Sequence, residues 1–83
     1  MDPHTTTQGR DACHAARDAF YACVDQQPLA PDAASAEQAR RAALEAPACA
    51  AARAAFDATC LASWRSYWSD RYARGRPILG RKQ

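Results

Sequence analysis

Apolar side chains recur at steps of three and four along two segments of the chain, and this period predicts two amphipathic helices. The first helix is predicted from Arg10 to Gln26, and Pro28 and Pro31 prevent it from continuing. Its inward-facing stripe comprises Cys13, Ala16, Phe20, Cys23 and Val24. Arg17 and Asp18 are expected off this stripe, on or near the outer side of the helix.

The second segment predicts one helix from Pro47 to Ala73 that begins alanine-rich and ends aromatic. Its stripe comprises Cys49, Ala52, Phe56, Cys60, Trp64, Tyr67, Trp68 and Tyr72. The first helix is too short to cover the aromatic end of this stripe. We therefore expect Trp64, Trp68 and Tyr72 to fold against the N-terminal segment or to contact another molecule.

The segments around the two helices are polar or rich in helix-breaking residues. Between them, Ser35 followed by Gln38 fits a capping box and predicts a short surface helix. After them, Gly75 is predicted to end the last helix and Pro77 to prevent its resumption. Ile78 and Leu79 are apolar residues in an otherwise basic tail, a pattern that suits anchoring to a partner.

Four cysteines lie in these helices as two widely spaced pairs. Nine residues separate Cys13 from Cys23, and ten separate Cys49 from Cys60. On a helix the members of each pair are about 15–16 Å apart, whereas a disulfide needs Cα atoms within roughly 7 Å. Two such helices laid antiparallel would bring Cys23 opposite Cys49 and Cys13 opposite Cys60. The hairpin favours this nested pairing over the crossed one.

These patterns predict an all-α chain built around a disulfide-stapled antiparallel helical hairpin. The hairpin covers residues 10–74, and its connecting segment, 27–46, carries the short extra helix. An extended lead over 1–9 precedes it, and a basic tail over 75–83 follows it. A chain of 83 residues has a small core, so two disulfides would stabilise it substantially.

Charge divides the chain unevenly. Residues 1–64 carry five arginines and eight acidic residues, which gives −3, whereas residues 65–83 carry six basic residues and one acidic residue, which gives +5. A basic tail suits anionic lipid or an acidic protein face as well as a simply solvated end. The acidic excess through residue 64 argues against nucleic acid binding.

The cysteine usage indicates an oxidising compartment. The N-terminal residues show neither the apolar core of a secretory signal nor an arginine-rich presequence. No apolar run approaches the roughly 20 residues that span a bilayer. For an unprocessed chain we therefore expect the mitochondrial intermembrane space, peripheral to the inner membrane; the alternative is a mature chain from which a signal has been removed.

Three segments of the chain resemble a known family. They are residues 13–23, with Ala16, Arg17, Asp18 and the pair Phe20–Tyr21; residues 49–60, with Phe56; and Trp64, Trp68, Ala73 and Gly75 after the last cysteine. They resemble twin-cysteine coiled-coil-helix-coiled-coil-helix proteins of the mitochondrial intermembrane space, and within them the cytochrome c oxidase subunit 6b and assembly factor 6 family.

The resemblance covers about residues 10–76 and implies the same nested cysteine pairs. It also implies import in reduced form, followed by pairing with an import oxidoreductase. Phe20 or Phe56 would then be the apolar docking residue for that enzyme. His14 stands where relatives often carry an aromatic residue, which weakens any transfer of copper chemistry to this chain.

Other chemistry at these residues is less well supported. Structural zinc sites use cysteines two to four residues apart, unlike these. Apolar neighbours favour inert structural bridges, although Cys13–Cys60, at the open end of the hairpin beside His14, is expected to be the more labile bond. A copper site at Cys13 and His14 is a weaker alternative to a surface histidine. The chain has no serine–histidine–carboxylate set and no glycine-rich phosphate loop, so we expect neither an enzyme nor a bound cofactor.

The leading hypothesis is a non-catalytic accessory subunit of a respiratory complex, with cytochrome c oxidase as the expected complex. Assembly work at the oxidase, through thiol-disulfide or copper chemistry, and a place on another respiratory complex are the alternatives. The aromatic end of the last helix and its arginines are expected to bind partner subunits. These residues are Trp64, Tyr67, Trp68, Tyr72, Arg65, Arg71, Arg74 and Arg76.

Overall fold

A computed structural model describes residues 7–78 of the chain. It contains α1 (Thr7–Asp25), α2 (Ala36–Ala43), α3 (Ala50–Thr59) and α4 (Ala62–Ala73). A single 3-10 turn, Pro47–Cys49, leads into α3. No strand occurs between residues 7 and 78, and the all-α prediction is confirmed. None of the described helices combines the length and the apolar character that crossing a membrane requires.

Helices α1 and α3 form the predicted antiparallel hairpin, stapled at both ends. Cys13 is bonded to Cys60 with a Cα–Cα distance of 4.9 Å, and Cys23 to Cys49 with 5.8 Å. These are the nested pairs that helix spacing predicted. Between the two bridges the rings of Phe20 and Phe56 stack with their centroids 5.2 Å apart. The disulfides therefore hold together a core whose small alanines bury little apolar area.

The first helix begins earlier than expected. Residues 7–9 belong to α1, so this part of the predicted extended lead is wrong; residues 1–6 lie outside the described residues. The helix ends at Asp25, one residue before the predicted end and three before Pro28.

The predicted single helix from Pro47 to Ala73 is wrong, because it is broken after Thr59. Cys60 and Leu61 are extended, with φ/ψ of −118°/145° and −61°/144°. Two local interactions accompany the break: the Thr59 hydroxyl donates to the Ala55 carbonyl at 2.7 Å, and Arg65 Nε donates to the Cys60 carbonyl at 3.1 Å. The chain reverses here, and α4 returns along the hairpin.

Helix α4 lies beside α1 and runs in the same direction. In its middle Trp68 meets His14, with ring centroids 6.0 Å apart, and near its end Tyr72 meets Tyr21, farther along α1, at 5.3 Å. The hydroxyl groups of Tyr21 and Ser69 are hydrogen-bonded at 2.9 Å. Trp68 and Tyr72 therefore pack against side chains of α1. The expectation that they need the lead segment or another molecule is wrong for these two residues.

Helix α2 in the connecting segment packs against α4. Ser35 caps α2 by accepting the Gln38 backbone N–H at 3.1 Å, as the capping-box pattern predicted. Ala39 and Ala43 are buried, and Arg40 Nε donates to the Ala73 carbonyl at 2.8 Å. This last bond satisfies one of the carbonyls that α4 leaves open at its C-terminus.

Gly75 ends α4 as predicted. Its φ of +73° is easily adopted only by glycine, and a Cβ there would lie 3.1 Å from Arg40 Nη2. The Gly75 N–H donates to the Tyr72 carbonyl and the Arg76 N–H to the Arg71 carbonyl, which is the Schellman pattern. Ile78 then packs into the core with 6% exposure, so its predicted role as a partner anchor is wrong; Leu79 lies outside the described residues.

Arg17 is the one charged side chain among the described residues that is fully buried. It is 1% exposed, so the prediction that it lies on or near the outer side of α1 is wrong. Its position explains this, because Arg17 follows Cys13 by four residues and precedes Phe20 by three. Its guanidinium lies 4.8 Å from the Trp68 ring centroid, and its Nε donates to Asp18 at 2.9 Å.

Candidate partner-docking surface

The eight residues predicted to bind a partner are divided by the structure between the core, a groove and a charged rim. Trp68 is 8% exposed and Tyr72 is half-buried against Tyr21, so both serve mainly the packing of this chain. Trp64 and Tyr67 face outward to a greater extent, and Tyr67 is 54% exposed. The outer face of α4 is therefore the part available for docking.

A shallow groove runs between the first turns of α1 and the first half of α4. It is lined by Arg10, His14, Trp64, Tyr67 and Trp68. The Trp64 and Trp68 rings meet edge to face with centroids 6.1 Å apart, and His14 also meets the Trp68 ring edge to face. Two tryptophans and a tyrosine in one groove give an apolar floor of the kind that dominates binding at protein interfaces.

Arginines stand at the edge of this groove. Arg10 is exposed, and the Arg71 guanidinium lies 5.6 Å from the Tyr67 ring centroid. Arg71 Nε also donates to the Pro77 carbonyl at 2.8 Å, so the same side chain ties the tail to α4. The groove thus combines aromatic surface with positive charge, which suits a partner segment that carries both apolar and acidic side chains.

The other three predicted arginines lie apart from the groove. Arg65 points toward α3, where Nη1 lies 3.1 Å from the Asp57 carboxylate. Arg74 is exposed and pairs with Asp70 at 3.1 Å, and Arg76 is exposed near the end of the described chain. Their charges therefore lie outside the groove.

Asp70 lies at the centre of a cluster of charges that includes Arg41 and Arg74. Desolvation alone would raise the pKa of Asp70, but hydrogen bonds and charge from Arg41 and Arg74 lower it below its ordinary value of 3.8. Arg41 Nη2 lies 3.3 Å from the Asp70 carboxylate and 3.4 Å from the Glu37 carboxylate. The pair of Arg41 with Asp70 therefore links α2 to α4. This cluster joins α2 to α4, whereas Arg10 and Arg71 border the groove.

The sequence pattern did not indicate that Arg10 lines the groove, and His14 was interpreted as an isolated surface histidine or a copper ligand. The two are four residues apart and therefore share one face of α1. That spacing was readable, but nothing in the sequence indicated that α4 would fold back beside this face. The histidine is half-buried against Trp68.

The disulfides limit the metal chemistry open to the site. All four cysteines of the chain are bonded, so neither Cys13 nor Cys60 offers a thiolate beside His14. Among residues 7–78, no cluster of three or more histidine, cysteine, aspartate or glutamate side chains is placed to hold a metal ion. Phe20 and Phe56, predicted to dock an import enzyme, are each 2% exposed in the folded chain.

A family model described as cytochrome oxidase c subunit VIb matches residues 2–77, which is nearly the whole chain. The chain belongs to this family. The subunit VIb assignment agrees with the two disulfides and the helical hairpin, and it connects the chain to cytochrome c oxidase, a mitochondrial respiratory complex. Neither a curated protein nor a solved structure matches the chain.

Proposed function

We propose that this subunit VIb family member is a non-catalytic accessory subunit of cytochrome c oxidase, bound peripherally on the intermembrane-space side. The family match over residues 2–77 carries the proposal, because the family is described as an oxidase subunit. Two disulfides in a 9.0 kDa chain support an oxidising compartment, and the intermembrane space is the one that borders this complex.

The groove between α1 and α4 is the proposed docking surface. Tyr67 and Trp64 supply exposed aromatic area, and Arg10 and Arg71 supply charge beside it. Residues of this type bury large area at low entropic cost and are the usual anchors of protein interfaces. The partner would be an oxidase subunit that presents an apolar side chain flanked by carboxylates. The exposed arginines at the end of α4, Arg74 and Arg76, would add long-range attraction to an acidic subunit or to anionic lipid.

The docking surface can be tested by replacing Tyr67 with alanine. Because Tyr67 is 54% exposed, its removal should leave the fold intact while it weakens binding by about 2 kcal/mol, roughly thirtyfold. The measurement is the amount of tagged chain that copurifies with the oxidase from mitochondria.

Leu29→Ala is the matched control, since Leu29 is a similarly exposed large apolar residue, at 48%, in the connecting segment. Circular dichroism should show both variants folded. Equal recovery of the oxidase with Tyr67→Ala and Leu29→Ala would exclude the groove as the docking surface.

Import by an oxidoreductase is a further part of the proposal. Phe20 and Phe56 are buried in the folded chain, so either ring can serve as a docking residue only before the hairpin closes. In the sequence, Phe20 lies three residues before Cys23, and Phe56 lies four residues before Cys60. Accumulation of newly imported Phe20→Ala and Phe56→Ala chains in isolated mitochondria, with Leu29→Ala as control, would identify the ring that is used. Unchanged accumulation of both would contradict this role.

The burial of Cys13 and Cys60 argues against the assembly-factor alternative. That alternative placed the working thiols at Cys13 and Cys60, but these side chains are 0% and 3% exposed beneath the aromatic core. A bond in that position must await local opening of the hairpin before it can exchange. Burial of this bond favours the structural role, and comigration with early oxidase intermediates alone would restore the assembly role.

A further inference from the structure

The two disulfides differ in the exposure of the cysteine residues that form them. Cys13 and Cys60 are both buried, and Cys60 Sγ lies 3.3 Å from the Cys13 carbonyl oxygen within the core. In the second bond Cys49 is 1% exposed, but Cys23 is partly exposed. Cys23 is therefore the one cysteine of the four that solvent reaches appreciably in the folded chain.

Cys23 lies near the C-terminal end of α1, where it is only partly buried. Its nearest polar neighbours are the Gln27 side-chain amide nitrogen, 4.0 Å from Sγ, and the Ala48 carbonyl oxygen, 3.8 Å from Sγ. The Gln27 amide is held in place by donating to the Cys23 carbonyl at 3.1 Å. Helix α1 ends at Asp25, so no further turn of this helix covers the bond.

The partner sulfur is placed to leave. Cys49 ends the 3-10 turn and directly precedes α3, so its side chain lies at the N-terminal end of that helix. The partial positive charge there favours a thiolate. A disulfide is cleaved faster when its leaving sulfur is the better thiolate and its attacked sulfur is the more accessible one. The exposure of Cys23 and the position of Cys49 at the N-terminal end of α3 thus both favour attack on Cys23 with Cys49 as the leaving sulfur.

We propose that Cys23–Cys49 is a thiol-exchange site, with Cys23 the sulfur that accepts a small monothiol of the glutathione class. The thiolate of the monothiol attacks Cys23 Sγ, the Cys23–Cys49 bond breaks, and Cys49 leaves as a thiolate. The product is a mixed disulfide on Cys23 with a free Cys49. Attack of Cys49 on Cys23 Sγ expels the monothiol and restores the bond, so that the cycle consumes no electrons. A second monothiol instead yields the oxidised monothiol and two protein thiols, a two-electron reduction.

This modification would be compatible with a folded chain. The Cys13–Cys60 bond and the Phe20–Phe56 stack hold α1 and α3 together on one side of the exchange site. The docking groove begins at Arg10 and His14, near the other end of α1. Exchange at Cys23 therefore neither requires unfolding nor occupies the proposed interface, and the proposal does not depend on which complex the chain joins.

The test uses the full oxidised chain, reduced glutathione under native conditions, and rapid alkylation with N-ethylmaleimide. Trypsin places the four cysteines in four different peptides, because Arg10, Arg17, Arg40, Arg41, Arg53 and Arg65 separate them. Mass spectrometry at early times should find glutathione on Cys23 and alkylation on Cys49. The bond between Cys13 and Cys60 should open at least about tenfold more slowly, since it waits for local unfolding.

The same reaction in concentrated urea is the matched control, because unfolding exposes both bonds equally. The difference between the two bonds should then disappear, which assigns the native selectivity to the fold. Three native-state results would overturn the proposal: earlier opening of Cys13–Cys60, equal rates for both bonds, or glutathione on Cys49 in place of Cys23. No variant is required, so a folding defect cannot obscure the outcome.

Discussion

At the scale of single residues, Arg17 is the least expected feature of the molecule. Its guanidinium is buried with 1% exposure, is paired with Asp18 through Nε and lies over the Trp68 ring. Its Nη2 atom has no hydrogen-bond partner. Burying a cation costs several kcal/mol in desolvation, and the carboxylate and the ring offset only part of this cost. Arg17 therefore contributes to how α1 and α4 are aligned more than to net stability.

Two substitutions should therefore differ in their effect on the free energy of unfolding. Arg17→Met removes the charge and the unpartnered donor while its sulfur still packs on Trp68, so the unfolding free energy should change by less than about 1 kcal/mol or rise. Asp18→Asn leaves the buried cation without its carboxylate and should lower that free energy by about 1–3 kcal/mol. Urea unfolding of the oxidised chains measures both. A larger loss for Arg17→Met than for Asp18→Asn would contradict this interpretation.

At the scale of elements, the contact of α2 with α4 depends on a cluster of charges around the last turn of α4. Arg40 caps the α4 C-terminus at the Ala73 carbonyl, and Arg41 reaches Asp70 from α2. Arg74 approaches the same carboxylate from one turn farther along α4. These pairs are exposed, so salt should weaken them. They hold the connecting segment against the hairpin.

The lowered pKa of Asp70 gives this contact a pH dependence. Since the folded state holds the pKa below 3.8, the unfolded state binds more protons as the pH falls through this range. The stabilisation is therefore fully present above the ordinary value and is lost as the pH falls through the folded-state value. Wild type should be more stable than Asp70→Asn at neutral pH, and the difference should vanish in acid.

Asp32→Asn is the control for this experiment, since Asp32 is an exposed carboxylate in the connecting segment. Thermal unfolding should be followed from neutral pH into acid at low salt and again at high salt. The Asp70→Asn effect should shrink at high salt because the partner arginines are exposed. A difference that persists unchanged in acid would show that Asp70 acts through packing and not through its charge.

Elements whose boundaries follow local rules were predictable from the sequence. The Ser35 cap of α2, the end of α4 at Gly75 and the nested cysteine pairs all follow from the chemistry of a few neighbouring residues or from helix spacing. The break at Cys60–Leu61 was not predictable, because no glycine or proline marks it. It exists because the return of α4 buries Trp68 and Ile78, which is a tertiary gain that no local pattern shows.

The same break explains why the candidate site was only half predicted. Trp64, Tyr67 and Arg71 were named from the aromatic stripe of the last helix, and they do line or border the groove. Arg10 and His14 complete the groove from α1, and their inclusion depends on α4 lying beside α1. Trp68 and Tyr72 were assigned to a partner because a straight helix would have left them uncovered.

At the scale of the whole molecule, the chain is a stapled scaffold that presents one aromatic groove. The hairpin of α1 and α3 holds the core, α4 returns to form the groove, and α2 fixes the end of α4. Membership of the cytochrome oxidase c subunit VIb family indicates the complex that such a surface would meet. The proposed docking role requires an exposed binding surface, and the groove between α1 and α4 provides one.

Native-gel complexome profiling of mitochondria, with this chain followed by mass spectrometry, tests that central claim most directly. The account predicts that the chain comigrates with mature cytochrome c oxidase at a fixed stoichiometry. Migration as a free protein, with early oxidase intermediates alone, or with a different respiratory complex would contradict the assignment as an accessory oxidase subunit.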